Sequence, residues 1–246
     1  MKGNSAGKGL TAATVCWGLL ALVLRWQLYR SGVDVKGLLV QHHPLGIALM
    51  VLTIGVLIRI VLAVRKLETS SDYETYHRAS LWSALGHVAA GAGMLVTVLT
   101  GATMMGGYVE IVWRGLGLAA PVCMLAAGVA RALGKRPFFL LYVVACLFLA
   151  LHTVTRYQFW SGNPQMQDYL FSLLGLLALV FFCYYHAAWD ADCGNLRLTL
   201  GTGLAAIYFC TAELAVSSGP ALYLGGLLWV FAELCSLRSG AAYEEK

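Results

Sequence analysis

Of the 246 residues, 59% are hydrophobic and only 12% charged, and the formal net charge is +5 at pH 7. A water-soluble fold of this size would lack the polar groups to cover its surface, so the composition excludes a soluble globular domain and points to a multi-pass membrane protein. With so few charges, the positive balance reflects membrane topology and anionic lipid headgroups rather than nucleic acid.

A bilayer core about 30 Å thick takes roughly 20 apolar residues in a helix. On that measure eight spans are predicted, near 10–29, 44–64, 80–104, 108–131, 137–158, 167–190, 197–217 and 220–237. The fold class is therefore an all-α polytopic bundle, read as one integral membrane domain over 1–246. Lys2 and Lys8 precede the first apolar run, but Arg25-Trp26-Gln27 follows it without a small-residue cleavage site, so it is expected to be a retained span rather than a signal peptide. Pro44, Pro137 and Pro220 each open an apolar run, where a missing N–H costs nothing. From Ser80 to Arg131 the chain is too long for one crossing, and Met105-Gly106-Gly107 is the expected reversal. Pro121 falls inside the fourth span and deprives the Gly117 carbonyl of its helical partner.

Lysine and arginine near the span ends set the orientation. With the N-terminus inside, eleven fall on the cytoplasmic side, among them Arg65, Arg131, Lys135 and Arg136; five fall outside, namely Arg25, Arg30, Lys36, Arg114 and Arg156. Both termini are expected to be cytoplasmic, in a cell membrane of bacterial type. Arg59 is expected to snorkel inward. Trp26, Trp82, Trp113, Trp160 and Trp189 fall near span ends, where an aromatic belt would place them.

Span three carries Ala89, Gly93, Thr97 and Gly101 at four-residue spacing, with Gly86 and Ala90 beside them. Small side chains on one face admit a second helix backbone at van der Waals distance. Span three is therefore expected to be interior, next to span four with its Gly115, Gly117, Ala120 and Gly128, and span one more peripheral. The seven cysteines form no Cys-x-x-Cys pair and leave one over, which speaks for apolar packing rather than a disulfide or thiolate framework.

An ionisable group at mid-span carries an insertion penalty of roughly 2.5–3.5 kcal/mol, so each such residue needs a reason. They separate by depth. The outer group comprises Glu110 and Arg114 on span four, His152 and Arg156 on span five, Asp168 and Glu213. The inner group comprises Arg59, His87, His186, Asp190 and Glu233. Glu213 has no cation nearby in sequence, and Arg156 is its expected partner because span five ends at the same depth. Tyr157 and its neighbours add hydroxyl, amide and aromatic groups, the ingredients of a small-molecule pocket. Glu213, Arg156, His152, Tyr157, Glu110 and Arg114 are the candidates for ligand binding or proton coupling; the alternative is a structural ion pair. His87, His186 and Asp190 could bind a metal, and His87 with His186 a haem, but no tight ligand motif supports either, so no metal and no cofactor is assigned.

There is no phosphate loop, nucleophile elbow or Ser/His/Asp spacing. The partners expected are membrane lipids and a small-molecule ligand, not nucleic acid. The favoured reading is a small transporter or ligand-binding bundle. An intramembrane lipid-modifying enzyme and a non-catalytic membrane subunit or sensor are the alternatives.

Overall fold

The structure, a computed structural model, describes residues 3–32, 43–65, 80–101, 107–162, 169–216 and 219–237. They form eight helices and, among the described residues, no strand: α1 (Gly3–Ser31), α2 (Pro44–Val64), α3 (Leu81–Thr100), α4 (Tyr108–Ala132), α5 (Leu140–Ser161), α6 (Leu170–Asp190), α7 (Leu196–Glu213) and α8 (Pro220–Ser236). The protein is a polytopic helical membrane bundle. The first six helices are long and apolar enough to cross a membrane. With 18 and 17 residues, α7 and α8 are shorter, spanning only about 25–27 Å at about 1.5 Å per residue. They tolerate this because protein, not lipid, surrounds most of their surface. Leu204, Ala206, Ile207, Tyr208, Cys210 and Ala212 of α7 are fully enclosed. A helix buried on all sides needs neither a polar face nor a full hydrophobic length.

Neighbouring helices alternate in direction. Ser172 near the start of α6 meets Glu213 at the end of α7, and Tyr142 near the start of α5 packs on His186 near the end of α6. Gly128 near the end of α4 faces His87 near the start of α3. The first helix therefore begins, and the last ends, at one face of the bundle. That face carries Arg65, Arg131, Lys135 and Arg136, and it is called inner here after the lysine and arginine asymmetry.

Helices α3, α4, α5, α6 and α8 close a ring, and α7, α1 and α2 are added on one side of it. The tightest seam joins α3 to α8. A Cβ on Gly93 would lie 2.5 Å from the Ala221 carbonyl oxygen, and one on Gly225 would lie 2.5 Å from that of Ala89. Gly86 continues the seam against Trp229 and Ala232. This is the stripe legible in span three. It brings two backbones together where lipid supplies no competing attraction for them. Burial follows the same order, with 56% of the α3 span enclosed, 28% of α1 and 17% of α2. Arg59 is exposed on α2, among lipid-facing isoleucines and valines.

Two details depart from the sequence expectations, the start of α5 and the place of three tryptophans, whereas Pro121 lies inside its helix as expected. Pro44 and Pro220 occupy the first turn of their helices, whereas α5 starts only at Leu140, so Pro137 belongs to the preceding connection. Helix α4 continues through Pro121, which is buried with its carbonyl packed against Gly91. Trp26 and Trp82 are exposed in the expected belt, but Trp113, Trp160 and Trp189 are buried. Their indoles serve the interior instead, Trp113 donating to His152 and Trp189 to Thr199. Of the expected reversal, only Gly107 is described, at φ +81°; Met105 and Gly106 lie outside the described residues.

The inner ends of α4 and α6 are fixed by matching caps. Gly134 (φ +71°) and Asp192 (φ 58°) take the left-handed conformation after the helix. Lys135 N–H then donates to the Ala130 carbonyl and Cys193 N–H to the Ala188 carbonyl, each at 2.9 Å, the six-to-one bond of a Schellman motif. Arg136 clamps the two ends together, donating to the Trp189 carbonyl at 2.9 Å and pairing with Asp192 at 2.8 Å.

Candidate functional site

The buried polar groups gather at the two ends of the bundle, with a layer of Met94, Met124, Phe148, Leu149, Leu176 and Leu179 between them. At the outer end lies a cavity of about 400 Å³, lined from α1, α3, α5, α6, α7 and α8. Its floor is an ion pair. Glu213, at the last turn of α7, is 3% exposed and pairs with Arg25 of α1, which is 2% exposed. Ser172 donates to the other carboxylate oxygen, and Arg25 also donates to the Ala212 carbonyl at 3.3 Å. The Phe171 ring covers the guanidinium, 4.8 Å from its centroid. A buried carboxylate with two donors and a covered cation is a well-satisfied arrangement.

The expected partner of Glu213 is thereby corrected. Arg25, not Arg156, holds it. Both arginines stand at the depth of Glu213, but α1 packs directly on α7 whereas α5 does not. The signal that could have found Arg25 is of the kind used for span three. Thr11, Thr14, Gly18 and Ala21 mark one small-residue face of α1, and Arg25 continues it. Gly18 on that face abuts Thr211 of α7.

Arg156 lines the same cavity from α5, half-buried, with its guanidinium 5.7 Å from the Trp160 ring. It reaches across to Gly219 before α8, with Nη2 3.8 Å from where a Cβ would stand. Among the described residues, no carboxylate pairs with it. One turn deeper, His152 is stacked on Trp113 and Phe148, both with ring centroids 5.9 Å away. Trp113 Nε1 donates to its Nδ1 at 3.2 Å. An indole only donates, so the neutral imidazole carries its own proton on Nε2. Tyr169, stacked on Trp160 at 4.5 Å, and Tyr223, donating to the Ser172 carbonyl at 3.3 Å, complete an aromatic wall that the sequence reading passed over.

Other candidates lie elsewhere. Glu110 and Arg114 pair with each other at 2.7 Å on an exposed face of α4, away from the cavity. Tyr157 is 48% exposed and does not line the cavity. Asp168 lies outside the described residues.

At the inner end a second cluster fills the five-helix ring. His87 Nδ1 donates to the Ser83 carbonyl at 2.8 Å, so its neutral Nε2 accepts from Tyr142, also at 2.8 Å. Arg131 donates to His186 Nε2 at 3.1 Å and lies 3.6 Å from Asp190. Glu233 accepts from Ser83 and stands 3.4 Å from His87 and 3.8 Å from His186. A haem between the two histidines does not fit. The Tyr142 and Trp229 rings pack against both imidazoles and fill the space that a macrocycle would need. The sequence places Arg131 among the lysines and arginines of the cytoplasmic side, and the structure shows it buried there, 2% exposed.

No protein-family model, curated protein or solved structure matches the chain.

Proposed function

We propose that this bundle recognises a small organic anion in its outer cavity, as a transporter or ligand-binding membrane protein. The observation that carries this reading is the charge balance of the cavity. Arg25 and Glu213 neutralise one another, which leaves Arg156 as a cation facing the cavity without a carboxylate among the described residues. A guanidinium offers a forked set of donors suited to carboxylate or phosphate. Two further features favour the same sign of charge. Helix α8 begins at the cavity, with Gly219 in its lining and Pro220 in the first turn, so the positive end of its dipole is directed there. His152 adds an N–H donor at the floor. The walls of Phe159, Trp160, Tyr169 and Tyr223 suit an apolar or aromatic body attached to the anionic head. A volume of about 400 Å³ restricts the occupant to metabolite size. Transport would further require the apolar layer around Phe148 and Leu179 to part, and Pro121 of α4, beside Met124 of that layer, is a point where the helix lacks a backbone bond.

The test is a thermal-shift and calorimetric comparison of purified protein with matched sets of aromatic and aliphatic carboxylates, their amides and their amines. Carboxylates should bind and the amides and amines should not. Arg156→Gln should weaken binding at least about tenfold, as loss of a hydrogen bond to a charged group implies. Arg114→Gln, on the exposed face, should bind normally. Equal binding by Arg156→Gln, or no preference for the anion, rejects the reading.

A further inference from the structure

The inner cluster is independent of the outer cavity and lies within two turns of the opposite face. It gathers from five helices more ligating groups than a structural contact needs. His87, His186 and Glu233 are all at most 1% exposed, and one ligand atom from each lies within 4.8 Å of the others. Donor atoms around a tetrahedral zinc stand roughly 3.3 Å apart. His87 Nδ1 stands 3.4 Å from Glu233 Oε1 and His186 Nε2 3.8 Å from Oε2, so the two oxygens of one carboxylate each face an imidazole nitrogen.

Asp190 adds a second observation. Its side chain is fully enclosed, yet neither carboxylate oxygen makes a hydrogen bond. Its nearest cation is Arg131, 3.6 Å away, whose guanidinium instead donates to His186. The Trp229 indole N–H is likewise buried without an acceptor, on a ring 5.7–5.8 Å from both imidazoles.

We propose that His87 Nδ1, His186 Nε2 and the Glu233 carboxylate bind a divalent transition metal of the zinc class. On binding, the His87 proton moves from Nδ1, which gives up the Ser83 carbonyl, to Nε2, which then donates to the Tyr142 oxygen as the Tyr142 hydroxyl turns its own proton away; a ligating imidazole with its other nitrogen hydrogen-bonded is the usual supporting arrangement. Arg131 releases His186 and closes on Asp190, whose bare oxygens are placed to receive it. Two histidines and one carboxylate leave a fourth position, the ligand number of reactive rather than purely structural zinc sites.

The experiment is a cobalt(II) titration of the full chain in detergent, with exposed Cys16 and Cys193 replaced by serine. One equivalent per chain should bind, with the visible absorption of a four-coordinate nitrogen and oxygen site and no thiolate charge-transfer band, and zinc should displace it. Glu233→Gln and His186→Gln should each lower affinity more than about a hundredfold, beyond the loss expected for a merely supporting partner. Arg114→Gln should leave it unchanged. Absence of saturable binding to the serine-substituted protein, a thiolate band, or undiminished binding by folded Glu233→Gln overturns the proposal. If the variants fail to fold, the stoichiometry and spectrum of the parent protein still decide.

Discussion

Gly93→Leu is expected to destabilise the bundle by at least about 3 kcal/mol, the upper range for overpacking, while Leu20→Ala should stay within about 0.5 kcal/mol. The difference lies in what each side chain meets. Even the first carbon added at Gly93 would stand 2.5 Å from the Ala221 carbonyl and 3.2 Å from the Gly225 Cα. Both are backbone atoms, so relief requires α3 and α8 to separate along the whole seam from Gly86 to Gly93. Separation would loosen the ring that holds both polar clusters. Leu20 is 43% exposed on the outward side of α1, where lipid replaces the lost methyl contacts. Unfolding in a graded denaturing detergent, followed by helical circular dichroism, measures both. Equal tolerance of the two changes would show that the seam is not close-packed.

The second large effect concerns the floor of the outer cavity. Arg25→Met and Glu213→Gln should each cost about 3–5 kcal/mol, because either leaves a buried partner uncompensated. The double variant should cost clearly less than the sum of the two, the mark of a coupled pair. Arg156→Gln, by contrast, should change stability by less than about 1 kcal/mol, since no buried partner is left behind. Additive effects of Arg25 and Glu213, or strong coupling of Glu213 to Arg156, would contradict the observed pairing.

That contrast shows where sequence reasoning reached and where it stopped. Hydropathy and span length report depth along the membrane normal. The eight helices and the inner and outer groups of charges were legible on that axis. Side-by-side arrangement is a different coordinate. Arg25 and Arg156 stand at one depth, and only the packing of α1 on α7 selects the first. Arg131 read only as one of the basic residues of the cytoplasmic side, because nothing in a linear sequence shows that α4 turns it into a five-helix ring. Glu233 was placed at the right depth but not beside His87 and His186, for the same reason. The buried tryptophans repeat the lesson: depth put Trp113 and Trp189 at the interface, and lateral packing put them inside. The small-residue stripes carry lateral information, since they mark which face of a helix meets another. The stripe on α3 was legible, whereas the one on α1, leading to Arg25, was the overlooked clue.

Whether the outer cavity is a solvent-reached site or a sealed structural contact is decided most directly by thiol accessibility in sealed cells. In a chain whose exposed cysteines are serine, Thr97→Cys lines the cavity and Met94→Cys lies one turn deeper in the apolar layer. A membrane-impermeant thiol reagent added from outside should modify Thr97→Cys, should spare Met94→Cys, and should be slowed at Thr97→Cys by the carboxylates that bind. Protection of both positions from the reagent, or modification only from the inner side, would contradict an outer ligand site and leave Arg25 and Glu213 as a structural pair.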